Sequence, residues 1–158
     1  MAKTVVTYFS ASSGRITEKY AKALSEELNA DLFEITPVSP YTEGDINWVN
    51  PLFRCNKEHI GKKDVPVSGK IENFAQYDTV FIGFPIWYGC APNVVNTFCK
   101  EYDWRNHKIY AFATSGGSGI GKSGEKLSAY TNGAEVSDAK LVNSPEELIN
   151  WAKQWVKN

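Results

Sequence analysis

The chain is poor in the side chains that carry acid–base, nucleophilic and metal chemistry. It has two histidines, His59 and His107, and neither lies at a spacing that pairs it with a nucleophile. A surface or packed histidine is the plainer reading of each, and no catalytic residue is expected. Cys55, Cys90 and Cys99 are odd in number and include no C-x-x-C pair. That argues against a disulfide framework or a zinc site and for reduced, packed thiols, with no metal expected. No apolar run reaches the roughly 18 residues that a membrane-crossing helix needs. The N-terminal MAKTVVTYF enters a strand-like run without the charged region, apolar segment and cleavage site of a signal peptide, so a cytoplasmic location is expected. A formal net charge of −1 gives no general attraction to nucleic acid or to an anionic membrane.

What remains is the balance of a globular domain: 158 residues, 42% hydrophobic and 22% charged. That length predicts a single domain over residues 1–158. Apolar runs at 4–9, 31–35, 79–84 and 108–113 read as strands, with 134–142 a weaker fifth after the Asn132-Gly133 turn signal. Three of them are almost continuously apolar, as parallel strands covered on both faces should be. Helical patterns fall between them. Tyr20, Ala21, Leu24 and Leu28 share one face of the first, and Val94, Val95 and Phe98 one face of the second. The last opens with Ser144 as N-cap, Pro145 at the first helical position and Glu147 as capping-box glutamate. Its expected buried stripe is Leu148, Ala152, Trp155 and Val156. Alternation of strand and helix predicts a doubly wound α/β domain. Residues 37–76 break the rhythm as a long irregular excursion, the kind that surrounds a site.

In such a sheet, ligands bind at the carboxyl ends of the strands where the strand order reverses. Three loops therefore matter. The first, SASSGRIT, offers hydroxyls at Ser10, Ser12, Ser13 and Thr17 and leads into an amphipathic helix. Backbone N–H groups and the positive helix end there make an anion site, with Arg15 at its rim. Hydroxyls donate to phosphoryl oxygens without neutralising them, which suits a permanently held phosphate. A plain capped Ser/Gly turn is the alternative. The second, PIWYGCAP, sets Trp87 and Tyr88 beside Gly89; their faces stack on something flat or pack inward. The third contains GGSGIGKS, Gly116 to Ser123, a letter-for-letter nucleoside-triphosphate pattern. That reading needs a magnesium-holding aspartate ending a later apolar strand, and the one candidate, Asp138, sits in mid-run. A glycine-rich loop bringing backbone amides to the edge of a planar ligand is favoured instead.

Taken together, the loops resemble those of the flavodoxins. The matching stretches are Tyr8-Phe9-Ser10 with Thr17, Pro85 to Gly89 with Pro92, and Gly116 to Gly119 with Gly121 and Ser123. Tyr41 to Trp48, YTEGDINW, is similar to a further stretch of the same bacterial branch. The resemblance spans nearly the whole chain. It implies a flavodoxin-like three-layer sandwich with a five-stranded parallel sheet of order 2-1-3-4-5, and FMN as cofactor. By the same resemblance Ser10, Ser12, Ser13, Gly14, Arg15, Ile16 and Thr17 hold the phosphate. Pro85, Ile86, Trp87, Tyr88 and Gly89 meet the isoalloxazine ring, with Gly89 as the peptide that flips beside the flavin N5. Ser115, Gly116, Gly117, Ser118 and Gly119 line the pyrimidine edge. The third loop has no aromatic residue, which leaves the second ring face to Trp48 or Tyr41; core or surface packing of Trp48 is the plainer alternative.

The implied function is low-potential transfer of single electrons between transient redox partner proteins, with no nucleic acid or membrane partner. Many flavodoxins are far more acidic than this chain. Three other readings stay open: an FMN-dependent NAD(P)H or quinone oxidoreductase, a flavin-binding module that never cycles electrons, and the nucleoside-triphosphate protein. Whether the protein is a monomer or a weak dimer is not set by the sequence.

Overall fold

The computed structural model describes residues 3–10, 16–37, 67–86, 91–114 and 123–156. Strand β1 (Lys3–Tyr8) leads to helix α1 (Ile16–Leu28), then β2 (Asp31–Glu34) and the two-residue strands β3 (Thr36–Pro37) and β4 (Val67–Ser68). A 3-10 turn (Phe74–Gln76) precedes β5 (Tyr77–Pro85), α2 (Asn93–Lys100) and β6 (Lys108–Thr114). The chain continues through α3 (Ser123–Ser128), β7 (Val136–Leu141) and α4 (Pro145–Ala152). The five-stranded sheet runs β2-β1-β5-β6-β7 with every pair parallel. Numbered within the sheet alone, that is the expected order 2-1-3-4-5.

Side-chain alternation along the strands sorts the core onto two faces. Val5, Val80, Ile82, Phe84, Ile109 and Ala111 turn one way, against Val94, Val95 and Phe98 of α2 and Leu127 of α3. Val6, Tyr8, Phe81, Tyr110 and Phe112 turn the other way, against Ala21, Leu24 and Leu28 of α1 and Leu148 and Trp151 of α4. Helix, sheet and helix form three layers. Within the second face, Gly83 stands between Tyr8 and Phe112 in the register. It leaves room for the Phe112 ring, which a Cβ at position 83 would strike.

The excursion is more ordered at its ends than its composition indicates. Thr36–Pro37 pairs antiparallel with Val67–Ser68, and the Ile71 backbone N–H donates to the Tyr102 hydroxyl at 2.9 Å. The second of these bonds ties the returning chain to the amino end of the sheet, where Phe74 packs on Tyr102, Trp104 and His107 with centroids 4.5, 5.0 and 4.4 Å away. Residues 38–66, including Tyr41, Trp48, Cys55 and His59, lie outside the described residues. Cys99 is fully buried, and burial pushes its thiol up, as a packed residue requires.

The last helix begins as expected: the Glu147 N–H donates to Ser144 Oγ at 3.1 Å. The Glu147 carboxylate reaches one residue further back than a standard box, accepting from the Asn143 N–H at 2.7 Å. Its end corrects the expected stripe. Helix α4 stops at Ala152, and the Trp155 N–H bonds the Ala152 carbonyl at 3.0 Å in a tighter turn. Trp155 is thereby swung out of the stripe and lies flat on Tyr110, 4.8 Å between centroids, still 40% exposed. Trp151 takes the buried place and donates its Nε1–H to Asp138 at 2.9 Å.

Two outcomes follow for apoprotein denaturation. Gly83→Ala should lower stability by about 1–3 kcal/mol through overpacking, and Phe112→Leu added to it should restore part of that loss; urea unfolding measures both. Tyr77 donates to the Asp31 carboxylate at 2.6 Å, and burial first, then this bond, pushes its hydroxyl up to about 12 from 10.0. A raised folded-state value stabilises fully below the unfolded one, and the increment disappears as pH climbs through the folded one. Tyr77→Phe should therefore be less stable than wild type by about 1 kcal/mol at pH 8, with the gap closing between about pH 10 and 12.

Candidate functional site

The roots of the three candidate loops stand side by side. Strands β1, β5 and β6 are consecutive neighbours, and the ladder continues past their ends. The Phe9 N–H donates to the Gly83 carbonyl and the Ile86 N–H to the Thr114 carbonyl, each at 2.9 Å. Ser10 therefore follows β1, Ile86 follows β5 and Thr114 ends β6 along one edge, within two strand spacings of about 4.8 Å each. Order reverses here: from β1 the chain pairs outward to β2, then returns to the other side of β1 as β5. Helix α1 packs on one face of the sheet and α2 on the other, so the edge between β1 and β5 is the crevice of a doubly wound sheet.

Helix α1 aims its first turn at this edge. Ile16 and Thr17 are one helical step apart and face differently: Ile16 is 49% exposed, Thr17 only 2%. The buried Thr17 hydroxyl lies 2.9 Å from the hydroxyl of Thr114, which is 8% exposed. Thr114 follows Phe112 by two on β6 and so points to the α1 face of the sheet. Ser10, 5% exposed, ends the described part of the first loop. In the same first turn, Glu18 accepts from the Tyr8 hydroxyl at 3.1 Å, fixing α1 to β1.

Of the residues expected to form the site, Ser10, Ile16, Thr17, Pro85 and Ile86 are thus brought to one edge. Pro85 stands opposite Thr114 in the register. Ser12, Ser13, Gly14, Arg15, Trp48, Trp87, Tyr88, Gly89 and Ser115 to Gly119 lie outside the described residues. Thr114 was missed in the sequence. The signal was there: a hydroxyl residue directly after the apolar run Ile109 to Ala113 of β6, where alternation puts it on the α1 face. Ser123, the last letter of the triphosphate-like pattern, is fully buried at the start of α3. Among the described residues no three His, Cys, Asp or Glu side chains come close enough to hold a metal ion. No helix among them is long and apolar enough to cross a membrane.

The edge offers a defined chemistry. Buried neutral hydroxyls at Ser10 and Thr17 and the amino end of α1 are donors suited to an anion. No carboxylate–histidine or nucleophile–base pair accompanies them among the described residues.

Comparisons with known proteins agree with this architecture. A family model described as flavodoxin matches residues 3–158. A candidate flavoprotein from Bacteroides eggerthii is 33% identical, with a TM-score of 0.87 and 98% of each chain covered. One from Bacteroides uniformis is 35% identical, with a TM-score of 0.87, covering 96% of this chain and 98% of its own. A flavoprotein from Lactobacillus acidophilus, solved in complex with FMN, shares the fold at 23% identity and a TM-score of 0.70, covering 97% and 100%. No curated protein matches the chain. A family match from residue 3 to residue 158, with two relatives a third identical along nearly their whole lengths, means that this chain belongs to the flavodoxin family.

Proposed function

We propose that the protein binds FMN at the carboxyl edge of β1, β5 and β6 and carries single electrons between protein partners that dock transiently. The observation that carries this reading is the buried hydroxyl set, Ser10 and Thr17, beside the amino end of α1 at the switch point of the sheet. A phosphate monoester only accepts hydrogen bonds, and this is a donor set held out of water. The Lactobacillus acidophilus relative was solved with FMN, which supports the cofactor's identity.

FMN supplies the redox chemistry; the protein's part is binding, orientation and electrostatics. Ser10, Ser12, Ser13 and Thr17 would donate to the phosphate with the backbone of Gly14 and Ile16, and Arg15 would stand at the rim. By the family resemblance Trp87 and Tyr88, which follow Pro85 and Ile86, would meet the ring, and Gly89 would supply the peptide next to it. Backbone amides of Ser115 to Gly119 would meet the ring's polar edge, and Trp48 or Tyr41 would cover the remaining face. Apolar, aromatic walls exclude water and disfavour extra negative charge on what they enclose, which lowers the potential of the fully reduced cofactor. In this reading the protein holds the cofactor and passes its electrons on to a docked partner.

Two measurements test this. Fluorescence titration of apoprotein with FMN and riboflavin should show that Ser10→Ala with Thr17→Ala weakens FMN on the order of a hundredfold, two charge-assisted hydrogen bonds lost. Riboflavin, which has no phosphate, should be almost unaffected; equal loss of both would place the phosphate elsewhere. In anaerobic reductive titration, a carrier should build up a long-wavelength absorption band at half-reduction and oxidise NAD(P)H only slowly. Rapid NAD(P)H oxidation in the presence of a quinone would instead mark an oxidoreductase.

A further inference from the structure

We propose that Thr114 is a positioning residue for the anion site: its hydroxyl donates to Thr17, which leaves the Thr17 proton for the ligand's phosphoryl oxygen. This rests on the reading above that Thr17 helps to hold the phosphate of FMN. The two hydroxyl oxygens are 2.9 Å apart, and either could donate in the absence of a ligand. An acceptor-only anion removes that freedom. With the Thr17 proton committed to a phosphoryl oxygen, the only proton left for the bond between the two threonines is that of Thr114.

The placement of Thr114 suits this work. It stands at the end of a central strand, its carbonyl accepts from the Ile86 N–H at 2.9 Å, and it is opposite Pro85 in the register. Its β-branched side chain has few rotamers to choose from, and at 8% exposure its surroundings hold the one it uses. Thr17 sits in the first turn of a helix that packs on the sheet through Ala21, Leu24 and Leu28, and the Tyr8 hydroxyl bonds Glu18 in the same turn. The bond to Thr114 adds a polar attachment on β6. It fixes both the distance of the helix end from β6 and the direction in which the Thr17 hydroxyl points. A hydroxyl already aimed loses less freedom when the anion arrives than one that must be oriented on binding.

The test uses full-length apoprotein and four chains: wild type, Thr114→Val, Thr114→Ala and Thr114→Ser. Valine keeps the shape without the hydroxyl; alanine removes it without adding a methyl group to a tight row, should valine disturb folding. Thermal unfolding of each apoprotein selects the variant that is folded. The expected result is that removing the hydroxyl weakens FMN roughly tenfold and changes riboflavin by less than about twofold, while serine binds FMN nearly as wild type does. In a Thr17→Val background, loss of the Thr114 hydroxyl should have no further effect on FMN. Equal weakening of FMN and riboflavin would reduce Thr114 to a packing residue, and unchanged FMN affinity would remove its role; either overturns the proposal while leaving the FMN reading intact. Wild-type protein that binds FMN no more tightly than riboflavin would sink the phosphate reading itself, and this inference with it.

Discussion

The arrangement depends first on the parallel register that holds the ends of β1, β5 and β6 level. Backbone ladders fix neighbouring strands to a fraction of an ångström and, in a sheet covered on both faces, cannot slip without moving buried side chains to the wrong layer. Phe9 bonded to Gly83 and Ile86 bonded to Thr114 carry that order one residue beyond the strands. Each loop thus starts from a fixed point.

The packing beneath the edge serves the same end. Phe112 lies over Gly83 in the row below Pro85 and Thr114, and the space that a larger residue at 83 would take is filled by the ring. Tyr8, in the same row, sends its hydroxyl to Glu18. Helix α1 therefore rests on a filled, close-packed layer at its first turn, where a small displacement would matter most to an anion held by hydroxyl hydrogen bonds. Stability and function meet in one row of side chains.

Much of this could be read from the sequence. The strands were legible because parallel strands buried on both faces are nearly continuous apolar runs, and α1 because Ala21, Leu24 and Leu28 recur at helical spacing. What could not be read is where a period ends. Nothing in AKQW says that α4 stops at Ala152; the tightened turn that turns Trp155 outward is set by tertiary packing against Tyr110. Helix α3 was not anticipated: SGEKLS is six residues long and carries a glycine, too short for a period to show. The two-residue pairing of β3 with β4 was invisible because its partners lie some thirty positions apart and each is too short to have a pattern. At the site, Ser10 and Thr17 stood out as hydroxyls in a turn, whereas Thr114 looked like the unremarked last letter of a strand. Its role comes from a contact across 97 positions, which single-sequence patterns do not encode.

The same limit explains why a phosphate-loop pattern can be present without its function. G-x-x-x-x-G-K-S describes a loop that wraps a phosphate only when it leads from a strand into a helix whose first turn is open to the ligand. Here the pattern ends in Ser123, and that serine is fully buried at the start of the short helix α3. A magnesium ion would have to be reached from a side chain with no access to it. The helix that the pattern runs into, α3, packs against β7 on the opposite face of the sheet from α1. Helix α1, with Thr17 turned inward and bonded to the sheet, has the better claim to an anion. In the proposed reading the glycines of the third loop would then serve a flat ligand rather than a phosphate, because glycine lets a backbone come close.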